Sequence, residues 1–358
     1  MRSTPENGRL DPPRHPPHHL NTRLNQLWRY AVSLGLMAVF LYWAFKDIDD
    51  AAVWATMREA SLLWLGIIVV TTLATIALRA WRWIVLMRPF TSSVTIWAAS
   101  LALAVCYGAN FFVPRSGEAL RVVSLKWHHS LSMGSTAATV VVERIIDMVW
   151  LILFLSISVL LLRTRIEEAF PWMGAWMGPS ILGALLGGSI ALLALLMLVS
   201  IYRDRALSVL QRIMRPLPTK ISSAVVDTLS TFAHGLEALH TPSAYVEIFV
   251  SSVLLNAGYI LIIYEAFIAF GFHTAHGLGP LQALVIMAIS SLGIVAPVPG
   301  GTGAYHFLFG QSLSLLFSVP LAAALACATV VHALANLLYV ILAGPAFLLL
   351  RRQRCAPE

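Results

Sequence analysis

The chain has 358 residues, of which 58% are hydrophobic and 11% charged, and its mean hydropathy is +0.79. Soluble domains carry roughly 25% charged residues, so too little polar surface is left here to coat a water-soluble globule. The net charge of +7 is spread over short stretches flanking apolar runs, which argues against a nucleic-acid partner and for lipid headgroups as its counterpart.

Residues 1–26 carry Pro5, Pro12, Pro13, Pro16 and Pro17 among charges and histidines, the composition of a disordered tail. His15, His18 and His19 read as solvated rather than metal-binding. Nothing in this stretch is apolar enough for a cleavable signal, and the run at 27–45 is long enough to be a retained anchor. Further apolar runs lie at 62–87, 95–113, 136–162, 180–201, 243–270, 281–298 and 321–350. Most reach the ~20 residues a helix needs to cross the hydrocarbon core.

Loop charges orient these runs. Arg2, Arg9, Arg14, Arg23 and Arg29 hold the N-terminus in the cytoplasm. Residues 46–61 bear Asp47, Asp49, Asp50 and Glu59 against Lys46 and Arg58, and fall outside. Arg79, Arg82 and Arg88 return the second span, with Arg79 and Arg82 read as interfacial anchors. The run at 95–113 is basic on both flanks, with Arg88 before it and Arg115, Arg121 and Lys126 after it. A re-entrant hairpin over 95–130, entered from the cytoplasm, satisfies both flanks. The run 136–162 then goes outward and 180–201 returns, with Gly183, Gly187 and Ala191 suited to close helix packing.

The basic loop 202–242 becomes cytoplasmic. Within it Ile221, Val225, Leu229, Phe232, Leu236 and Leu239 form the apolar stripe of a surface helix over about residues 219–240. The run 243–270 goes outward. Segments 281–298 and 303–317 form a second hairpin, dipping in from outside, and 321–350 returns to a basic cytoplasmic tail, 351–358. The expected fold is an all-α polytopic membrane protein, with a transmembrane domain over 27–350 of about six full spans plus two re-entrant hairpins. Eight or nine full crossings is the alternative. Both termini lie in the cytoplasm, and the membrane is the bacterial inner (plasma) membrane.

Each half then reads span, span, hairpin, span, with hairpins entering from opposite faces. Their tips are related: Val113, Pro114, Arg115, Ser116, Gly117, Glu118, Ala119 against Val298, Pro299, Gly300, Gly301, Thr302, Gly303, Ala304. Inverted repeats with broken helices near the midplane are a transporter architecture, and ordinary Pro/Gly loops are the plain alternative. A helix restarting after Pro114 offers free backbone N–H groups to an anion. Asn110, Arg115, Glu118 and Arg121 stand beside that restart, Arg can grip phosphate bidentately, and Gly117 would let a headgroup approach the backbone. Gly300, Gly301, Gly303 and His306 offer the same at the second tip. Glu143, Arg144 and Asp147 lie inside an apolar helix, where each ion costs at least ~2.5 kcal/mol unless paired. Glu143 and Asp147 share a face, Arg144 can reach Asp147, and Arg115 or Arg121 is the natural external partner. Asn256, His332 and Asn336 line a polar path or hydrogen-bond neighbouring helices.

Cys106, Cys327 and Cys355 form neither a disulfide framework nor a metal-ligand spacing. No phosphate-binding Gly-Lys loop, His-Glu-x-x-His or Gly-x-Ser-x-Gly elbow occurs, so neither a metal nor a cofactor is expected. The stretch from Asn110 through Pro114, Arg115, Gly117 and Glu118 to Arg121, then Val142, Glu143, Arg144 and Asp147, then Pro297 through Gly303 to Ala304, resembles the lysylphosphatidylglycerol synthase transmembrane family, also called flippase-like domain proteins. The resemblance covers roughly residues 25–350. It implies a domain that translocates or accommodates lipids, aminoacylated phosphatidylglycerol and polyprenyl-linked sugars among them. Many relatives carry Glu where this chain has Tyr305 and His306, and no cytosolic aminoacyltransferase domain is expected after Glu358, so synthase activity does not carry over. The leading expectation is a lipid flippase or scramblase that performs no chemistry and binds anionic membrane lipids. A membrane enzyme acting on a lipid phosphate or polyprenyl-linked sugar, using Glu143, Asp147 or His306, is the second. A partner of a separate synthase is the third, and a homodimer is left open.

Overall fold

The computed structural model describes residues 18–46, 48–128, 131–169 and 241–352, with isolated helical residues between 183 and 212. Every regular element among them is helical: α1 (His18–Phe45), α2 (Asp50–Glu59), α3 (Leu62–Met87), α4 (Ile96–Phe112), α5 (Ser116–His128), α6 (Met133–Ala169), α7 (Pro242–Ala269), the short α8 (Phe272–Ala275), α9 (Pro280–Val295), a 3₁₀ turn (Pro299–Gly301), α10 (Ala304–Phe317) and α11 (Leu321–Arg352). The stripe at 219–240, the terminal residues 1–17 and 353–358, and most of 180–201 lie outside the described residues. The helix starts follow local chemistry. Asp49, Thr95 and Thr241 accept the first-turn amides of Ala51, Ala98 and Ala244 at 2.9, 3.2 and 3.3 Å, satisfying donors that a helix leaves orphaned.

Four helices are long and apolar enough to span a membrane: Leu62–Met87, Met133–Thr164, Pro242–Ala269 and Leu321–Arg352. A fifth passes only as a pair, Tyr30–Phe45 with Asp50–Glu59, bent by 86°. These five match five of the six expected spans, the first only as the bent pair, and the remaining one, 180–201, lies mostly outside the described residues. Only 17% to 28% of the residues in the most apolar window of each span are buried in the protein, which leaves exposed apolar faces for lipid, as at Val70, Leu261, Leu337 and Ile341. Residues 46–61 are not a plain loop, since most of them form α2.

α3 and α7 run antiparallel and are tied at both ends. Ser61 N–H donates to Ala269 C=O at 2.9 Å, and Arg88 grips the Glu247 carboxylate through two bonds of 2.5 and 2.7 Å. α4 lies antiparallel to the second half of α11, where Tyr107 stacks on Tyr339 at 4.6 Å. Gly108 makes that approach feasible, since a Cβ there would sit 2.3 Å from the Ala343 Cβ. α4 and α5 fold back on each other as one hairpin, and α9 and α10 as another. Their helices have 17, 13, 16 and 14 residues. At 1.5 Å per residue each falls short of the ~30 Å hydrocarbon core.

Met87, Val94, Ala98 and Leu350 share one core cluster, so the first hairpin is rooted at the end carrying Arg88 and Arg351. α10 leads through Ser318 to the start of α11, and α9 follows α7 and α8, so the second hairpin is rooted at the opposite end. Packing is reciprocal between the halves: α3 against α7, α11 against the first hairpin, α6 against the second. An inverted pair of units results, α3 to α6 and α7 to α11, with a hairpin in each.

Candidate functional site

The first tip spans Val113–Arg115. Ser116 Oγ donates to Val113 C=O at 2.9 Å, and the Asn110 side-chain oxygen accepts the Gly117 N–H at 2.8 Å. Asn110 therefore fills part of the helix N-terminus that sequence reasoning left free for an anion. Gly117 is also spent differently from expectation. A Cβ there would fall 2.0 Å from Cys106 C=O, so its absent side chain serves α4–α5 contact rather than headgroup approach. Arg115 holds a left-handed φ of 63°, uncommon for a residue with a side chain, and its side chain is exposed.

The second tip reverses through Gly300, Gly301 and Gly303, with φ of 56°, 77° and 87°. A side chain would be strained at each. The two tips meet: Arg115 Nη2 donates to Val295 C=O at 3.4 Å, and Gly300 packs on Phe111 and Asn336, where a Cβ would stand 3.2 and 3.3 Å away. Ser33 in α1 donates to Pro297 C=O at 2.7 Å. Phe111, Arg115, Gly300 and Asn336 thus stand at the junction, with Pro114 beside Arg115 and Asn110 beside Phe111 in the chain.

His306 and Gly303 turn away from that junction. Gly303 backs onto Met37 C=O and Phe40 of α1, and its N–H donates to His306 Nδ1 at 3.3 Å. The His306 ring is buried, 5.0 Å from His332, which stacks on Tyr305 at 4.7 Å. Asn336 and Asn256 donate to the carbonyls of His332 and Ser252, one turn back, at 2.9 and 2.8 Å.

Beside the first hairpin lies a buried ionic cluster. Asp147 is held by Arg79 Nη2 at 2.7 Å and Arg82 Nη2 at 2.5 Å. Glu143 faces Arg121 Nη1 at 3.0 Å, Arg144 Nη2 at 3.3 Å, and Arg79 and Arg82 at 3.5 Å each. Arg144 also reaches Asp147 at 3.5 Å, the contact its spacing suggested. Of the two expected external partners, Arg121 reaches Glu143, whereas Arg115 goes to the second tip. The expectation that Arg79 and Arg82 anchor the membrane interface is overturned: they are 6% and 0% exposed and clamp α6 to α3. Arg79 stands eight residues before Met87, ~12 Å up the helix, and that depth is the signal that could have revealed it.

The surroundings hold these groups in place. Arg82 Nη1 donates to Ser252 Oγ at 3.2 Å, and Trp83 Nε1 to Thr139 Oγ1 at 3.0 Å. The Arg121 guanidinium lies 4.7 Å over the Trp83 ring and that of Arg79 6.0 Å from the Tyr107 ring, favourable cation–π placements. Glu265, which sequence reading passed over, is buried and accepts from Thr71 Oγ1 at 2.8 Å. Four guanidiniums face two carboxylates in the cluster, an arrangement that can hold an anion and offers no metal site; among the described residues no group of three metal-ligating side chains occurs.

The family model described as "Lysylphosphatidylglycerol synthase TM region" matches residues 26–343. No curated protein and no solved structure matches the chain. The match ties this multi-pass protein, in contact with membrane lipids along its spans, to lipid metabolism.

Proposed function

This chain belongs to the lysylphosphatidylglycerol synthase transmembrane family, and on that premise we propose that it is a lipid flippase or scramblase that carries phosphate-bearing headgroups past the midplane and performs no chemistry itself. The observation that carries the reading is the meeting of two half-spanning hairpins rooted at opposite ends, Arg115 against Val295 and Gly300 against Phe111. Irregular backbone at such depth is tolerated where it is buried in protein or lines a polar cavity. Broken helices from two inverted units meeting there form the usual seat of a transported substrate.

In this reading the end bearing Arg88, Arg351 and Arg352 faces the cytoplasm of a bacterial inner membrane, and the exposed Arg115 meets the headgroup as the first hairpin yields it. The lipid is anionic, and it is taken up beside the first hairpin because the fixed positive charge lies there. His306 and His332, with their aromatic neighbours, give the second hairpin a neutral counterpart.

Arg115 tests the proposal cleanly because its side chain is exposed and its one described bond is long. Lipid-dependent thermal stabilisation in detergent would be compared for wild type and Arg115→Ala, with phosphatidylglycerol against a neutral lipid. Wild type should be stabilised more by phosphatidylglycerol, and Arg115→Ala should lose much of that difference at unchanged basal Tm. Equal stabilisation of both proteins by both lipids would refute it.

A further inference from the structure

The ionic cluster carries more positive charge than it needs for structure. Arg79, Arg82, Arg121 and Arg144 stand against Glu143 and Asp147, an excess of two cations. Widening the boundary to the first tip adds Arg115 and Glu118, which cancel, so the excess is unchanged. Among the described residues the other groups facing the cluster are neutral: Ser252 from α7, Trp83 and Thr139, and Tyr107 stacked on Tyr339. Two uncompensated charges among apolar helices are costly unless something offsets them.

The donors are also incompletely used. Arg121 is 0% exposed, and although it is ion-paired by distance to Glu143, none of its three guanidinium nitrogens has a hydrogen-bond partner among the described residues. The Nε groups of Arg79, Arg82 and Arg144 are in the same position. Buried donors left unmet cost about 1–3 kcal/mol each, more when charged. The cluster opens where the side chains of Arg144 and Asp147 are 40% and 23% exposed, against 7% or less for Arg79, Arg82, Arg121 and Glu143. An anion entering there meets Arg144 first and the unmet donors behind it.

We propose that this cluster is the headgroup site of the lipid carrier, and that its surplus of two charges selects lipids ending in a phosphomonoester or pyrophosphate over phosphodiester lipids with a single negative charge. The inference rests on the lipid-carrier reading and sharpens it. A phosphomonoester carries close to two charges above its second ionisation, near pH ~6, and so neutralises the excess, whereas a phosphodiester leaves one cation unmatched. Planar guanidiniums grip the oxygens of a terminal phosphate in forked pairs.

The test is binding to the full chain in detergent, with phosphatidic acid as the phosphomonoester, phosphatidylglycerol as the phosphodiester, and inorganic phosphate as the free ion. At about pH 8 phosphatidic acid should bind roughly tenfold more tightly than phosphatidylglycerol, and the ratio should shrink towards one as the pH falls through about 5.5, where the monoester has lost most of its second charge. Arg144→Gln should cut the ratio severalfold while Arg144→Lys preserves it, and Lys126→Gln, a surface change, should leave it alone. The wild-type ratio decides by itself if a variant misfolds. Equal affinity for the two lipids at pH 8, a ratio indifferent to pH, or inorganic phosphate binding as tightly as phosphatidic acid would each overturn the inference. Equal lipid affinities would leave the lipid-carrier reading standing, whereas no binding of either lipid would sink both.

Discussion

Arg115 combines an exposed cation with a left-handed backbone at the point where two hairpins touch. A side chain in that conformation costs roughly 1 kcal/mol or more, and strain of this kind clusters where function requires it. Arg115→Gly should therefore leave Tm in detergent unchanged or slightly raised, because glycine accepts φ of 63°, yet it should weaken anionic-lipid binding as Arg115→Ala does. A lowered Tm with binding intact would mean that the guanidinium serves the fold instead.

Glu143 is the reverse case, a carboxylate 0% exposed with four guanidiniums around it. Breaking a buried ionic group typically costs about 3–5 kcal/mol. Glu143→Ala should lower Tm more than Glu143→Gln, since the amide oxygen still accepts a hydrogen bond from Arg82 or Arg144; identical losses would show that only charge matters there. The ion pairings of Glu143, Arg144, Asp147 and Arg121 were legible because ions inside or next to an apolar run demand partners. Those of Arg79 and Arg82 were not, because an arginine near the end of a span looks alike whether it snorkels to headgroups or turns inward. Glu265 sat unread because one carboxyl near a helix end, met by Thr71, leaves no pattern.

At the scale of elements, both hairpins could be read from their flanks: basic residues on either side of 95–113, and an uncharged Pro-Gly stretch between two short apolar segments. What the sequence concealed was how the tips are built. Gly117 reads as a ligand-approach glycine from its neighbours Arg115 and Arg121, whereas the α4 backbone claims the space. Gly117→Ala would push a methyl into Cys106 C=O, and backbone cannot yield as a side chain can. Overpacking costs about 1–3 kcal/mol even where neighbours relax, so Gly117→Ala should sharply reduce the folded yield in detergent. Gly35→Ala, with nothing within 4 Å of its added carbon, should be neutral, and equal yields would contradict the close hairpin contact. α2 escaped notice because ten residues with a mixed surface show no dominant stripe; Asp49 at its cap, Asp50 in its first turn and Arg58 in its last set it in place.

Over the whole molecule, reciprocal packing of the two units makes their sidedness a joint property. If the first hairpin enters from the cytoplasm, Lys126 lies on that side. A single cysteine at Lys126 in an otherwise cysteine-free chain should react with an impermeant thiol reagent in inverted vesicles and not in intact cells. Labelling from outside would mean that the first hairpin crosses completely and that later segments invert. Translocation gives the most direct readout of all. Purified chain in liposomes holding a headgroup-labelled anionic lipid should speed exchange of that lipid between leaflets well beyond protein-free vesicles, with Arg115→Ala slower than wild type at equal protein incorporation. Exchange no faster than in protein-free vesicles, across anionic lipids of both phosphomonoester and phosphodiester type, would contradict a lipid carrier outright.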